Sequence, residues 1–320
     1  MSVERSAGCP LCGREEPDPL LWADDPDRPD AGPYLVARCT GCRLVFVHPP
    51  PSDQETIDAY QGEFFRGPTA FTRGAFTLGQ RLLLLERVRL VRRFATRGAL
   101  LDVGCGDGAF LERIAREGFE PAGTEASDEA AARGRARGIR VAAANLAALP
   151  FPPASFSAIT MYQVLEHLAD PHGTLTALRE HLRPDGVLIV SVPNFAGWDA
   201  RLFGRRWFHL DVPRHRFHFE PGTLFGLLDS CGFEIIHKTQ FSWEYNPFDL
   251  LQSTLNLALK PNHLYRLLRR GESPFRAPLA TAVSLAAATV LSPAAIALST
   301  VSALLGHGAS LTAVARPRHA

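Results

Sequence analysis

The run Leu100-Leu101-Asp102-Val103-Gly104-Cys105-Gly106-Asp107-Gly108 restricts the fold more than any other part of the chain. A short apolar run ending in glycine at every second position reads as a buried strand turning sharply into a helix. Glycines 104, 106 and 108 supply the left-handed conformations a tight turn needs, and they let backbone pass close to a ligand. The helix that follows offers free N–H groups and the positive end of its dipole. About 20 residues further on, Glu125 ends the next apolar run, where a carboxylate can accept hydrogen bonds from both hydroxyls of a ribose. Strand, turn, helix and acid in this order point to a nucleoside ligand.

From Ala99 onward, short apolar runs alternate with amphipathic ones, the rhythm of a doubly wound α/β sheet. The pattern predicts strands near 99–103, 120–125, 139–143, 156–161, 187–192, 233–238 and 310–315. It predicts helices near 109–117, 127–137, 171–182 and 221–231. Pro184-Asp185-Gly186 reads as a turn before a strand, and Gly232 closes a helix. Residues 52–97 read as helical, with Leu82, Leu85, Val88 and Val91 at helical spacing, whereas residues 1–50, rich in Pro, Gly and Asp, read as loop.

The glycine spacing is GxGxG preceded by Asp102, not the GxGxxG of dinucleotide-binding proteins, which argues against a nicotinamide-dependent oxidoreductase. The stretch closely resembles motif I of the class I S-adenosylmethionine-dependent methyltransferases. Three further segments resemble the same family: Asn145-Leu146-Ala147-Ala148-Leu149-Pro150-Phe151-Pro152, with Ser155-Phe156-Ser157, after the third strand; Val164-Leu165-Glu166-His167-Leu168-Ala169-Asp170-Pro171 after the fourth; and Leu182-Arg183-Pro184-Asp185-Gly186-Val187-Leu188 before the fifth. The resemblance covers about residues 99–240. It implies S-adenosyl-L-methionine as cofactor, with Asp102, Gly104 and Gly106 around the methionine moiety and Cys105 counted with them in the turn. It further implies Glu125 on the ribose, Asn145 and Leu146 at the adenine, and Gln163 lining the methyl side. Position 145 is usually Asp in these proteins; Asn can still accept from the adenine amino group.

Four of the six cysteines form CxxC pairs, Cys9-Pro10-Leu11-Cys12 and Cys39-Thr40-Gly41-Cys42, with 26 residues between the inner two. Two such knuckles bring four thiolates into the tetrahedron a structural Zn²⁺ prefers, with Gly13 and Gly41 permitting the tight turns. A redox CxxC normally opens a helix in a thioredoxin-like unit, which is absent from the pattern. Met1 to Gly8 has no apolar segment of the secretory type, so a reducing cytoplasm is the expected compartment. The net charge of +1 excludes a chain-wide basic field for nucleic acid. The ribbon's loop carries Glu15, Glu16, Asp18, Asp24, Asp25, Asp27 and Asp30 against Arg14 and Arg28, a surface expected to repel phosphates. It resembles the ribbon fused to small-molecule methyltransferases of the sugar-methylating and ubiquinone-biosynthesis groups.

Methyl transfer from a sulfonium is an in-line displacement, and a hydroxyl acceptor must also lose a proton. Histidine is the natural base near neutral pH. His167, beside Glu166, follows the fourth strand at the edge where ligands bind in such sheets; His215 and His218 follow the fifth, in Pro213-Arg214-His215-Arg216-Phe217-His218. The resemblance to ubiquinone-pathway O-methyltransferases puts a histidine-containing segment over the acceptor there. His215 is therefore the first candidate and His167 the second, against a capping or buried structural role for each. Glu166 with His167 could instead hold a divalent ion that polarises a phenolic acceptor.

Between Ala277 and Ala315 there is no Asp, Glu, Lys or Arg. Pro293 is expected to split this run into helices near 279–291 and 294–305, each shorter than the roughly 20 residues that cross a bilayer. Two readings stand level: Ala-rich helices buried against the sheet or in a dimer, or a monotopic hairpin dipping into the inner leaflet. In the second, Arg266, Arg269, Arg270 and Arg276 lie just ahead, facing anionic headgroups.

The reading is thus an α/β protein, a seven-stranded Rossmann-like doubly wound sheet of the class I methyltransferase type with a small N-terminal zinc ribbon and an apolar helical insertion before the last strand. Its divisions are 1–50 zinc ribbon, 51–97 helical linker or cap, 98–240 cofactor-binding core, 241–308 helical apolar insertion, and 309–320 last strand and tail. The expected function is methyl transfer to oxygen of a small-molecule or lipid-linked acceptor, in the cytoplasm or at the inner membrane surface. The alternatives are an RNA methyltransferase and a non-catalytic S-adenosylmethionine-binding scaffold.

Overall fold

The computed structural model describes residues 8–52, 55–56, 73–143, 146, 149–269 and 272–318. Three strands open it: β1 (Asp18–Asp24), β2 (Pro33–Arg38) and β3 (Val45–His48). The long helix α1 (Arg73–Phe94) follows. Strands and helices then alternate through β4 (Ala99–Val103), α2 (Ala109–Ala115), β5 (Glu120–Glu125), α3 (Asp128–Ala136) and β6 (Arg140–Ala143). Next come β7 (Phe156–Tyr162), α4 (Pro171–His181), β8 (Leu182–Pro193), α5 (Trp198–Phe203), β9 (Phe217–His218) and α6 (Pro221–Ser230). The chain ends with β10 (Phe233–Thr239), α7 (Asn246–Leu255), α8 (His263–Arg269), α9 (Pro278–Leu304) and β11 (Ser310–Pro317). It divides into two compact units: Met1–Gly79 with Pro193–Thr223 and Gln240–Leu311, and Gln80–Val192 with Leu224–Thr239 and Thr312–Ala320.

The second unit is built on a seven-stranded sheet of order β10-β11-β8-β7-β4-β5-β6. β4 lies parallel to both β5 and β7, β5 to β6 and β7 to β8, while β11 runs antiparallel to β10. Parallel strands covered on both faces read as unbroken apolar runs, which is why β4 and β7 are buried almost end to end. Val88 and Val91 of α1 and Phe110, Leu111 and Ile114 of α2 belong to the same core as Leu100, Ala158, Val187 and Ile189 of the strands. Helix starts are set by side chains: Ser127 Oγ accepts from the Ala130 N–H (3.3 Å) and Asp170 Oδ1 from the Gly173 N–H (2.8 Å). Strand order reverses at β4 and β7, so the carboxyl ends of these two strands flank the crevice where such sheets take ligands.

The first unit holds a four-stranded antiparallel sheet of order β1-β2-β3-β9. Ala23, Val36, Val45 and Val47 from the sheet pack with Ala200, Phe203, Trp207 and Leu210. The same unit holds a wholly buried guanidinium. Arg214 reaches Asp25 (3.2 Å), Asp27 (3.2 Å) and Asp211 (2.6 Å), and Arg28 also reaches Asp25 (3.1 Å).

Four expectations need correcting. Residues 1–50 are not loop throughout: Leu20-Leu21-Trp22, Leu35-Val36-Ala37 and Val45-Phe46-Val47 make strands, and the partner on the far edge comes from Phe217–His218. The acidic loop is not wholly a surface, because Asp25 and Asp27 are internal partners of Arg214; Glu15, Glu16, Asp18, Asp24 and Asp30 remain exposed. Pro184-Asp185-Gly186 lies inside β8, at a shift of register opposite Phe156–Ala158, and not in a turn before it. Finally, Pro293 does not split the C-terminal run. α9 is one helix of 27 residues, since packing on either side of the missing hydrogen bond, by Ala287 and Ala288 before it and Ala295, Ser299 and Ser302 after it, outweighs the local cost.

Candidate cofactor site and cysteine cluster

β4 delivers Asp102 to the crevice with its side chain buried. In register it stands beside Gly123 of β5 and Thr160 of β7, and the Thr160 hydroxyl donates to Asp102 Oδ1 at 2.6 Å. Burial pushes this carboxyl up from the usual 3.8 to about 6, opposed by the Thr160 hydrogen bond and by the charge of Arg87. Arg87, on α1, lies over the Tyr162 ring at 4.4 Å.

The turn after β4 is held from β5: the N–H groups of Gly104 and Cys105 both donate to the Thr124 carbonyl, at 2.8 and 3.0 Å. Gly104, Gly106 and Gly108 have φ of 72°, 56° and 77°. A Cβ at 104 would lie 2.5 Å from Val164 Cγ2, so glycine there admits the segment after β7. A Cβ at 106 would meet nothing within 4 Å, so this stretch of backbone borders open space where a ligand can approach. Cys105 faces inward, against Gly123, and burial pushes its thiol up; only its backbone belongs to the turn. Asp107 caps α2 through the Ala109 N–H (3.2 Å) and pairs with Arg137 (3.0 Å).

Glu125 is fixed at both oxygens. Oε2 accepts from the Gly106 N–H at 2.8 Å and Oε1 from the Ser127 N–H at 2.9 Å. An ionised carboxylate has about four acceptor positions, so two remain for a diol. Gln163, at the carboxyl end of β7, has φ of 56°, a left-handed conformation that is strained for a residue with a side chain. Its Nε2 is buried without a hydrogen-bond partner among the described residues. A buried amide donor left unpaired is costly, which fits a position completed by a ligand. Leu146 is a half-buried turn residue, and Asn145 lies outside the described residues.

Glu166 and His167 sit in the short 3-10 turn Leu165–His167, with Glu166 buried and its Oε1 4.0 Å from His167 Nε2. His215 belongs to the first unit. Its Nδ1 lies 2.7 Å from the His209 carbonyl, and since a carbonyl can only accept, Nδ1 is the donor in this contact. His218, also buried, is pushed down to about 3 by desolvation and is neutral near pH 7.

The sulfurs of Cys9, Cys12, Cys39 and Cys42 all lie within 4.8 Å of one another, with Cys9–Cys42 at 3.6 Å and Cys12–Cys39 at 3.5 Å. These are too long for a disulfide and near the edge of about 3.8 Å expected for a tetrahedron with Zn–S bonds of about 2.3 Å. Burial pushes the Cys9 and Cys42 thiols up, while against burial backbone hydrogen bonds bring Cys12 down to about 7, and the four sulfurs together are a donor set compatible with Zn²⁺. The Gly41 N–H donates to Cys39 Sγ at 3.3 Å. The left-handed residue of the second knuckle is Arg43 (φ 67°) and not Gly41.

A methyltransferase-domain family model matches residues 78–238, half of the chain, and takes in every strand of the sheet except the last. The chain belongs to that family. A Mycolicibacterium smegmatis protein described as a probable S-adenosylmethionine-dependent methyltransferase is 36% identical over 152 residues, 46% of this chain and 56% of that protein. A Cereibacter sphaeroides ubiquinone biosynthesis O-methyltransferase is 26% identical over 181 residues, 51% of this chain and 73% of that protein. The match thus spans just over half of the first relative and about three quarters of the second. Among solved structures, an S-adenosylmethionine-dependent methyltransferase from Mesorhizobium loti is 19% identical, with 72% of this chain and 96% of that one covered and a TM-score of 0.45.

Sequence reasoning missed Thr160, Arg87 and Ser127. Thr160 becomes visible only once β4 and β7 are placed side by side in register. Arg87 reads as one more charged position on an amphipathic helix. Ser127, which both caps α3 and donates its N–H to Glu125, carried a signal: a serine directly before a helical run.

Proposed function

We propose that the protein transfers a methyl group from S-adenosyl-L-methionine to an oxygen of a small-molecule or lipid-linked acceptor. The observation that carries this reading is the Glu125 carboxylate, tied to Gly106 and Ser127 with two acceptor positions to spare beside the open backbone of the glycine turn. The name of the Cereibacter relative supports oxygen as the acceptor atom. The five exposed acids of the ribbon support a small molecule over RNA.

When bound, the cofactor supplies an electrophilic methyl on a sulfonium. Glu125 accepts from the two ribose hydroxyls and fixes the nucleoside; Asp102, Gly104, Cys105 and Gly106 line the methionine side, the last three by backbone alone. Asn145 and Leu146 border the adenine, and Gln163 donates its unpaired amide N–H on the methyl side. His215 Nε2 takes the acceptor proton, with His167 the second candidate and Glu166 its neighbour. Cys9, Cys12, Cys39 and Cys42 hold a structural Zn²⁺ that joins the two knuckles. The compartment is the cytoplasm, in keeping with six cysteines none of which is disulfide-bonded among the described residues.

The test uses purified protein, labelled methyl donor and fractionated cell extract, organic-soluble fractions included. Label is expected in an alkali-stable ether of an extractable compound, and transfer is expected to fall about 10²–10⁴-fold in His215→Gln, with the acid limb of the rate profile lost. If His167→Gln alone has that effect, the base is reassigned; label in RNA, or in nothing, overturns the reading.

Asp102 gives a pH prediction. Its folded value, about 6, exceeds the usual 3.8, so the free folded protein binds more protons than the unfolded chain between these limits. The stability this group contributes is present below pH 4 and lost as pH rises through 6. A cationic ligand favours the carboxylate, so affinity for S-adenosylmethionine should tighten from pH 5 to pH 7. Calorimetry across that range is expected to show the trend in the native protein and a flat profile in Asp102→Asn.

A further inference from the structure

α9 is inverted relative to an ordinary packed helix. The side chains it buries are small or hydroxylic, namely Thr281, Ser284, Ala295, Ser299 and Ser302, while Leu279, Val290, Leu298 and Leu304 point away at 78%, 73%, 57% and 82% exposure. Only 17% of its most apolar 18-residue stretch is buried. Three of the four inward hydroxyls are satisfied locally, Thr281 Oγ1 donating to the Pro274 carbonyl, Ser299 to Ile296 and Ser302 to Ser299, while Ser284 Oγ is buried without a hydrogen-bond partner among the described residues. The large apolar surface therefore faces outward, with no charged residue from Ala277 to Ala315.

Both ends of α9 are held within the first unit. At the start, Thr281 is tied to Pro274; just past the end, the Trp198 N–H donates to the His307 carbonyl (3.0 Å) and Asn194 Nδ2 to the Gly308 carbonyl (2.7 Å). A helix about 40 Å long, tethered to one body at both ends, cannot cross a bilayer and must lie along it. Arginine and aromatic side chains flank each end. Exposed Phe275 and Arg276 precede the helix; Trp198, which stacks on His307 at 5.8 Å, lies on α5 with exposed Arg201 and, just beyond, exposed Arg205. Arg266 and Arg269, expected to face headgroups, are instead paired with Glu272 and Glu244, and Arg270 lies outside the described residues.

We propose that α9 lies flat in the surface of an anionic lipid bilayer, its outward apolar face among the acyl chains and Arg201, Arg205 and Arg276 on the headgroups. Lipid fits this face better than a second copy of the chain. A protein interface carries a polar rim that fixes register, whereas the exposed positions of α9 are apolar except Thr289, whose hydroxyl bonds Leu285 of its own helix, with cations at the helix ends.

The test is flotation of the full-length, zinc-loaded protein with phosphatidylcholine vesicles, with and without phosphatidylglycerol, alongside light scattering of the free protein. Binding is expected, stronger on the anionic vesicles. The double variant Val290→Glu, Leu298→Glu is expected to weaken it at least tenfold with the unfolding midpoint unchanged, because both sites are exposed. Neutralising Arg201, Arg205 and Arg276 to Gln should cost about fivefold per arginine on anionic vesicles and nothing on neutral ones, a result that stands even if the double variant misfolds. Folded protein that ignores both vesicle types overturns the proposal, as does a dimer dissociated by the Glu pair without any lipid binding.

Discussion

Replacing Arg214 with Leu is expected to cost about 3–5 kcal/mol of unfolding free energy, as much as truncating a large core side chain. The guanidinium is fully buried and gathers Asp25, Asp27 and Asp211. Burial alone lowers the basicity of an arginine, and here the carboxylates more than reverse that, so the charges hold one another in place. Leucine keeps the volume but leaves Asp25 buried with Arg28, itself partly exposed, as its remaining countercharge among the described residues. Chemical denaturation at pH 7 and again near pH 4 is the measurement: the loss should shrink at the lower pH, where stranded carboxyls can take up protons. Arg214→Lys should recover part of the loss and not all, because an ammonium cannot reproduce the fork. A loss below about 1 kcal/mol in the leucine variant would mean that the network is incidental. Since Arg214 adjoins His215 and leads into β9, its removal should also loosen the segment that carries the proposed base.

Glu125→Ala is expected to weaken S-adenosylmethionine binding about 10²–10⁴-fold. Two hydroxyl donors to a charged acceptor are worth about 1.5–3 kcal/mol each, and the deletion also frees the N–H groups of Gly106 and Ser127 that keep the turn in shape. Glu125→Gln should be nearly as damaging, because its amide nitrogen must point a donor at one of those N–H groups. Glu125→Asp retains the charge and should lose least. The unfolding midpoint of all three should move little, which separates a binding defect from a folding one; equal affinity in Ala and wild type would remove Glu125 from the ribose.

The second unit was largely legible because five neighbouring strands of its sheet, β8-β7-β4-β5-β6, are parallel. Strands buried on both faces cannot hide among polar residues, and glycine turns and Gly232 punctuate them, so the elements of this unit between Ala99 and Thr239 stand close to where the apolar rhythm put them, whereas α5 and β9, which belong to the first unit, had no such signal. The first unit was less legible for the opposite reason. β1 is an edge strand with Leu20 and Trp22 exposed, in a segment full of Asp and Pro, and the edge partner of β3 is two residues long and lies about 170 residues downstream. Asp25 and Asp27 could be read only as surface acids until their arginine was known. Pro293 carries a strong local signal for a break, and tertiary packing overrode it. At the site, GxGxG and Glu125 carried the expectation of a nucleoside, and the structure brings them together through the hydrogen bond from the Gly106 N–H to Glu125. The groups that tune it, Thr160 on Asp102 and Ser127 on Glu125, depend on strand register and on cap geometry that motif spacing does not encode.

The central claim is that the turn after β4 holds an adenosyl sulfonium with its sugar clasped by Glu125. Isothermal titration of the zinc-loaded protein at pH 7.5 with S-adenosylmethionine tests it most directly, with S-adenosylhomocysteine and NAD titrated in parallel. The account predicts one site per chain for the first two ligands, heat abolished by Glu125→Ala, and none with NAD. Silence from both adenosyl compounds, or a response to NAD alone, would contradict it.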